Sequence, residues 1–339
     1  MPFSSRALAL LLVHAIASVA ACGDSTSRRS DSGTHDAESS RDAASDAPDP
    51  RPDAEPEPAR DGGTEPTPDG GGGARRRLIG ARWSLPVGPA EDYRCILLTL
   101  TEPIFIRGFY PVAPEGTHHT VLSVNPTPRE PDGERACSGL ENGEQMIYGS
   151  GVGTRPLELP PGIAVRVDAG QQLFLSLHLF NTNRRAPLSG ETGIDVVMAD
   201  AAEVREEAEA ILAGTVAIFI PPRVTDYAVT GRCTQRRNQR LLGLMPHMHQ
   251  YAVHQRVVLE RAGSSPRVLF DAEYTFDDQQ YTVFDPPIEM RAGDVLRVTC
   301  TYDNPTGMPV TFGESSNQEM CFAGLYRVPA SPDGVVCTD

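Results

Sequence analysis

The chain has 339 residues and a net charge of −15, from 45 carboxylates against 30 cations, every one of them Arg. A body this acidic, with no basic stripe, excludes nucleic acid as an expected partner, because phosphate binding needs clustered cations. Hydrophobic residues make up 40% of the chain, and the shortfall is concentrated in residues 23–77, so the remainder is ample for a sizeable core.

Residues 1–21 read as an export signal: Arg6 in a short leading region, the apolar run Ala7 to Val13, then small residues ending in Val19-Ala20-Ala21-Cys22. The apolar run is shorter than the roughly 20 residues that a membrane-spanning helix requires. The small residues before Cys22 resemble the bacterial lipobox, whose Cys is lipidated and becomes the mature N-terminus. The alternative is an ordinary signal peptide with a free Cys22. Residues 22–77 follow as a linker of Asp, Pro, Ser, Gly, Arg and Glu, which cannot bury enough apolar surface to offset its ordering entropy and is expected to be disordered. Its root-mean-square reach is roughly 40 Å. The expectation is an exported lipoprotein of the bacterial cell envelope, at the outer membrane or periplasmic side, touching the membrane through its lipid alone. Gly23 after the Cys favours the outer membrane.

From Leu78 onward the sequence alternates short apolar runs with Pro and Gly. Cys95–Leu100, Thr120–Val124, Leu173–Phe180, Thr215–Ile220, Gln255–Leu259 and Val295–Tyr302 are rich in β-formers and bounded by turn residues. Only Asp200–Leu212 reads as helical, from its helix formers and lack of a β-branched run. The expected fold is all-β: two tandem antiparallel β-sandwich domains, jelly-roll-like, over residues 78–205 and 206–339. Seven Cys occur; with Cys22 assigned to the lipid, six remain, an even number in an exported chain and consistent with three disulfides. Six Cys allow fifteen pairings, and no CxxC spacing suggests a zinc knuckle.

His14 and His35 fall in the leader and linker, leaving six His in the body. In Met245-Pro246-His247-Met248-His249, positions i and i+2 share a strand face, so His247 and His249 can hold one ion; His254 has the opposite parity. In Leu173–Phe180 the leucines take one face, and His178 shares the other with Phe174, Ser176 and Phe180. A neutral imidazole there needs a partner, and a metal is one. Neighbouring His118 and His119 can meet one ion only at a strand end, bulge or loop, which Ala113-Pro114-Glu115-Gly116 permits. Met320 precedes Cys321 in a Glu-Met-Cys run. It is either core filler or, fixed beside a disulfide, a thioether that suits Cu(I) together with imidazole.

The order His-His, strand His, His-x-His, Glu-Met-Cys resembles the copper type II, ascorbate-dependent monooxygenases, over roughly residues 79–330. The segments EPIFIRGFYPVAPEGTHHTVL, the LxLHLFN stretch through Asn181, and MRAGDVLRVTCTYDNP carry the same likeness. The resemblance implies two copper ions per chain. His118, His119 and His178 would hold an electron-transfer copper; His247, His249 and Met320 would hold the catalytic copper that meets O2 and a small-molecule substrate. It also implies ascorbate or another one-electron donor, hydroxylation of a C–H bond, and disulfides Cys95–Cys137, Cys233–Cys337 and Cys300–Cys321. A monomer is expected.

Departures bear on the substrate. In the peptide-amidating members an Arg precedes the His-x-His by two residues and anchors a carboxylate; here that position is Met245. Two polar positions just after Met-Cys are Phe322 and Gly324, and a Gln before the strand His is Ser176. A buried carboxylate would lack a partner, which points to a small neutral or aromatic substrate. The competing reading is a non-catalytic surface lipoprotein that binds and handles copper with the same ligands. The absence of a GxSxG elbow argues against Ser-His-Asp hydrolysis.

Overall fold

The computed structural model describes residues 74–137, 145–151, 153–276, 278–331 and 336–339, all within one compact unit, Pro66–Asp339. The expected leader, the lipidation site at Cys22 and nearly all of the linker lie outside the described residues. The first strand, Arg76–Leu85, takes in two residues assigned above to the linker, because Arg77 makes ion pairs with Glu191 and Asp195 on the neighbouring strand.

No helix occurs among the described residues, and the protein is all-β. In the N-terminal half one sheet runs, in order, Gly133–Ala136, Ala90–Thr99, Gln172–Asn181, Thr117–Asn125 and Gln145–Gly151. A second runs Arg76–Leu85, Leu188–Met198, Ile104–Val112, Ile163–Val167 and Glu206–Glu207, with Leu157–Glu158 paired to Ile104–Val112. The two sheets contribute to one core, in which Leu173, Leu175, Leu177 and Leu179 are all fully buried. Each such side chain is worth about 1.5–3 kcal/mol relative to exposure, so the strand that carries His178 is among the best-anchored elements.

The C-terminal half has a sheet ordered Thr282–Met290, Gln239–His247, Cys321–Val328, Glu209–Thr215 and Val336–Cys337. A four-stranded sheet follows the order Val224–Thr234, Val295–Asn304, Ala252–Glu260 and Arg267–Glu273. They share a second core. The halves are joined without a gap: Ala208, Ala210, Leu242, Tyr326 and Val328 belong to the first core.

Two local expectations are corrected. Asp200–Leu212 contains no helix; it turns at Ala201–Glu203 and then supplies the strands Glu206–Glu207 and Glu209–Thr215. Tertiary burial overrides helix propensity there, because Glu209–Thr215 lies inside a sheet between Cys321–Val328 and Val336–Cys337. The charge of Glu209 is accommodated by Arg327 at 2.7 Å, both side chains being buried. Thr215–Ile220 is not one strand, since Thr215 Oγ1 accepts from Ala217 N and turns the chain before the short strand Phe219–Ile220. Three disulfides are present, Cys95–Cys137, Cys233–Cys337 and Cys300–Cys321, the pairing implied by the resemblance.

Candidate metal centre

The first cluster is made by a bulge. Gly116 adopts φ +96°, and a Cβ there would lie 2.6 Å from Trp83 and Leu188, so glycine is required by both conformation and space. Against Gln172–Asn181, Thr117 pairs with Leu179 and His119 with His178; His118 is therefore the extra residue between two ladder positions. The bulge turns adjacent histidines toward a common point and sets His119 directly opposite His178. The ligand nitrogens of His118, His119 and His178 all lie within 4.8 Å of one another.

The partners of His178 fix its tautomer. Its Nε2 stands 2.6 Å from Glu91 Oε1 and donates to that carboxylate, leaving a lone pair on Nδ1. That atom is 3.1 Å from His118 Nδ1. Two nitrogens on one tetrahedral ion at 2.0–2.1 Å would be about 3.3 Å apart, so the observed convergence fits a single metal. Tyr93 stacks on the His178 ring at 4.2 Å and 7° and donates to Glu91 at 3.1 Å. Burial holds the His119 imidazole well below its usual range, and the neighbouring histidines add to that effect. Burial also lowers His178, with Glu91 opposing the shift. Neutral imidazole is the metal-binding form.

The second cluster lies where the strand Gln239–His247 ends. The rings of His247 and His249 are 5.5 Å apart at 86°. His247 Nδ1 donates to Gln279 Oε1 at 3.1 Å, and His249 Nδ1 to the Gln318 carbonyl at 3.0 Å, so both Nε2 atoms keep their lone pairs. Burial lowers both imidazoles, that of His249 to about 4. Glu319, fully buried, binds the cluster together: it accepts from the backbone N–H groups of His249 (2.8 Å), Tyr251 (2.7 Å) and Met320 (3.3 Å). His249 and Met320 share one oxygen, Oε2, although 70 residues separate His249 from Glu319 in sequence. Burial lifts the Glu319 carboxyl to about 7 against the pull of those three bonds. Met320 is buried, its carbonyl accepts from Tyr302 OH at 2.7 Å, and the next residue is locked to Cys300.

The structure thus gathers His118, His119 and His178 at one point, and holds His247, His249 and the Met320 backbone at another. His254 stands apart, paired with Asp271 at 3.1 Å. Sequence reasoning did not find Glu91, Tyr93, Gln279 or Phe276. Glu319 was visible only as part of the Glu-Met-Cys run, without a role.

The fold and the two donor sets define an all-β protein with histidine-rich sites suited to a soft transition metal, nitrogen-only in one half and nitrogen with sulfur in the other. Residues 206–337 match the family model described as copper type II ascorbate-dependent monooxygenase, C-terminal domain. The chain belongs to the copper type II ascorbate-dependent monooxygenase family, with that match lying in its C-terminal half. It is 26% identical over 220 residues to the human protein named "Putative DBH-like monooxygenase protein 2", covering 59% of this chain and 44% of the relative. The chain therefore spans less than half the length of that protein.

Proposed function

We propose that this protein hydroxylates a C–H bond of a small neutral or aromatic molecule, consuming O2 and electrons from an external one-electron donor such as ascorbate. His118, His119 and His178 would hold an electron-transfer copper, and His247, His249 and Met320 the copper at which oxygen and substrate meet. Copper bound there would supply the one-electron steps and the activation of oxygen. The protein supplies the geometry. Glu91 keeps the His178 Nδ1 lone pair aimed at its cluster, Gln279 and Gln318 free the Nε2 atoms of His247 and His249, and Glu319 binds the two segments that carry the second site. Second-shell bonds of this kind orient imidazoles and raise their basicity as ligands.

The observation that carries the reading is the division of donors: three convergent imidazoles in one half, two imidazoles and a pinned thioether in the other. The substrate class rests on Met245 and Phe322, which are buried and flank the second site in register, Phe322 opposite His247 and Met245 opposite Gly324. Neither offers a charge to an anionic substrate. We further read the sheets as two tandem sandwiches, over residues 78–205 and 206–339, in a monomer exported and anchored through a lipid on Cys22.

The test is aerobic turnover of the copper-loaded chain with ascorbate, following oxygen uptake over a panel of small C–H substrates. Substrate-dependent uptake that is lost in Met320→Ala is expected. Copper binding without substrate-coupled uptake for any compound would instead identify a copper-handling protein.

A further inference from the structure

Residues 274–281 leave the sheets and cross from the second metal site to the first. At one end Tyr274 OH donates to the Met248 carbonyl at 2.6 Å and accepts from Met248 N at 3.3 Å, between the two histidines of the second site. At the other end Tyr281 OH donates to the Gly149 carbonyl at 2.9 Å, in the N-terminal half. Gln280 Nε2 adds a bond to Gly153 O, and Thr154 Oγ1 donates to the Gln279 carbonyl. Held at both ends, the segment places the half-buried Phe276 ring in edge contact with His118, 4.6 Å between centroids, and also 5.9 Å from His249. Among the described residues it is the one side chain in ring contact with both clusters.

We propose that Phe276 is the partition between the two metal sites: its ring closes the His118 side of the three-histidine site to added ligands and fixes the gap to His249. This inference rests on the copper reading above. The opposite flank of that cluster is covered by Tyr93, stacked on His178, so a small molecule would have to displace one ring or the other. An apolar ring also offers no hydrogen bond to a water in the gap, which favours a dry separation. The second site has no such cover on its Nε2 side, where neither His247 nor His249 is engaged by the residues that orient them. The sites would then differ in access as well as in donors, and the residue that decides access to the first comes from the other half of the chain.

The experiment loads the full chain with copper, reduces it, and titrates it with carbon monoxide, counting bound molecules by infrared spectroscopy. The expected wild type holds two coppers and binds one carbon monoxide per chain. Phe276→Ala should keep both coppers and show a second carbonyl band of comparable intensity, while Phe276→Leu, which keeps an apolar plug, should bind one. Pulsed electron paramagnetic resonance on the oxidised protein should show a broader copper–copper distance distribution in Phe276→Ala. A wild type that binds two carbon monoxides, or a Phe276→Ala variant with two coppers and a single band, overturns the partition and leaves the copper reading standing. Loss of first-site copper from both variants makes the ring a prop for His118 and also overturns it. A wild type with fewer than two coppers overturns the two-copper reading itself.

Discussion

Thr154 and His247 come from opposite halves of the chain and are tied to the two ends of one glutamine: Thr154 Oγ1 donates to the Gln279 carbonyl at 2.9 Å, and Gln279 Oε1 accepts from His247 Nδ1 at 3.1 Å. Thr154 Oγ1 in turn accepts from Gly151 N, and Gly151 is the ladder partner of His119. A run of hydrogen bonds therefore links the strand of the first cluster to a ligand of the second. Orientation of His247 depends on contacts made by the N-terminal half.

Removing that link should weaken one site selectively. Gln279→Ala leaves His247 Nδ1 without its acceptor, so the tautomer with a free Nε2 is no longer enforced. Copper affinity at the second site should fall about 10–100-fold, with the first site unchanged. Competition titration with a Cu(I) chelator, resolved by the copper–sulfur contribution in X-ray absorption, reads the two separately.

Gly116 should be intolerant of any side chain. Gly116→Ala introduces a Cβ at φ +96° and 2.6 Å from a Trp83 ring that is pinned by its Nε1–H bond to Thr192. The expected cost is about 2–4 kcal/mol, visible as a lower midpoint in guanidinium unfolding. Copper at the first site should be lost before copper at the second, because the bulge at His118 begins at the next residue.

The Arg327–Glu209 pair tests how charge is tolerated inside a strand. Arg327→Met strands a buried carboxylate and should cost about 3–5 kcal/mol, whereas the double replacement Arg327→Met with Glu209→Leu should recover most of the loss. A double-mutant cycle by denaturant unfolding measures this. Equal losses in the single and double variants would show that Gln235 and Gln239, which also bond the pair, need the charges themselves.

Acid stability should carry a contribution from Asp294. Its carboxylate accepts from Arg261 Nε and Nη2 and from Arg291 N, and the Arg261 guanidinium holds it below the usual carboxylate range. A depressed folded-state value gives stability that is complete above the unfolded value, about 3.9, and is lost as pH falls through the lower folded one. Asp294→Asn should therefore be about 1–2 kcal/mol less stable than the wild type near neutrality. The difference should narrow only below about pH 4, as followed by thermal unfolding across the acid range.

How much of this was legible in the sequence depends on the range of the interaction. Strand parity brings His247 and His249 to one face and separates the leucines of Leu173–Phe180 from His178, and both hold because period two is local. The meeting of His118 and His119 required a bulge, and the Pro-Glu-Gly before them permitted it. Glu91, Gln279 and Phe276 left no such trace. Glu91 reaches His178 across a sheet, while Gln279 and Phe276 reach their partners from an irregular segment about 30 residues past the His-x-His. The misreading of Asp200–Leu212 has the same origin: its helix formers are a local signal, but the partner that lets Glu209 sit inside a sheet, Arg327, is 118 residues away.

The Cys300–Cys321 bond beside Met320 restricts what can feed this protein. A dithiol strong enough to serve as reductant would attack the disulfide by exchange and release the segment whose backbone Glu319 and Tyr302 hold in place. A donor that gives single electrons and forms no mixed disulfide leaves the pin intact. The fold is thereby matched to ascorbate-like reductants over thiols, and thiol protectants in a purification buffer would inactivate the very site they are added to preserve.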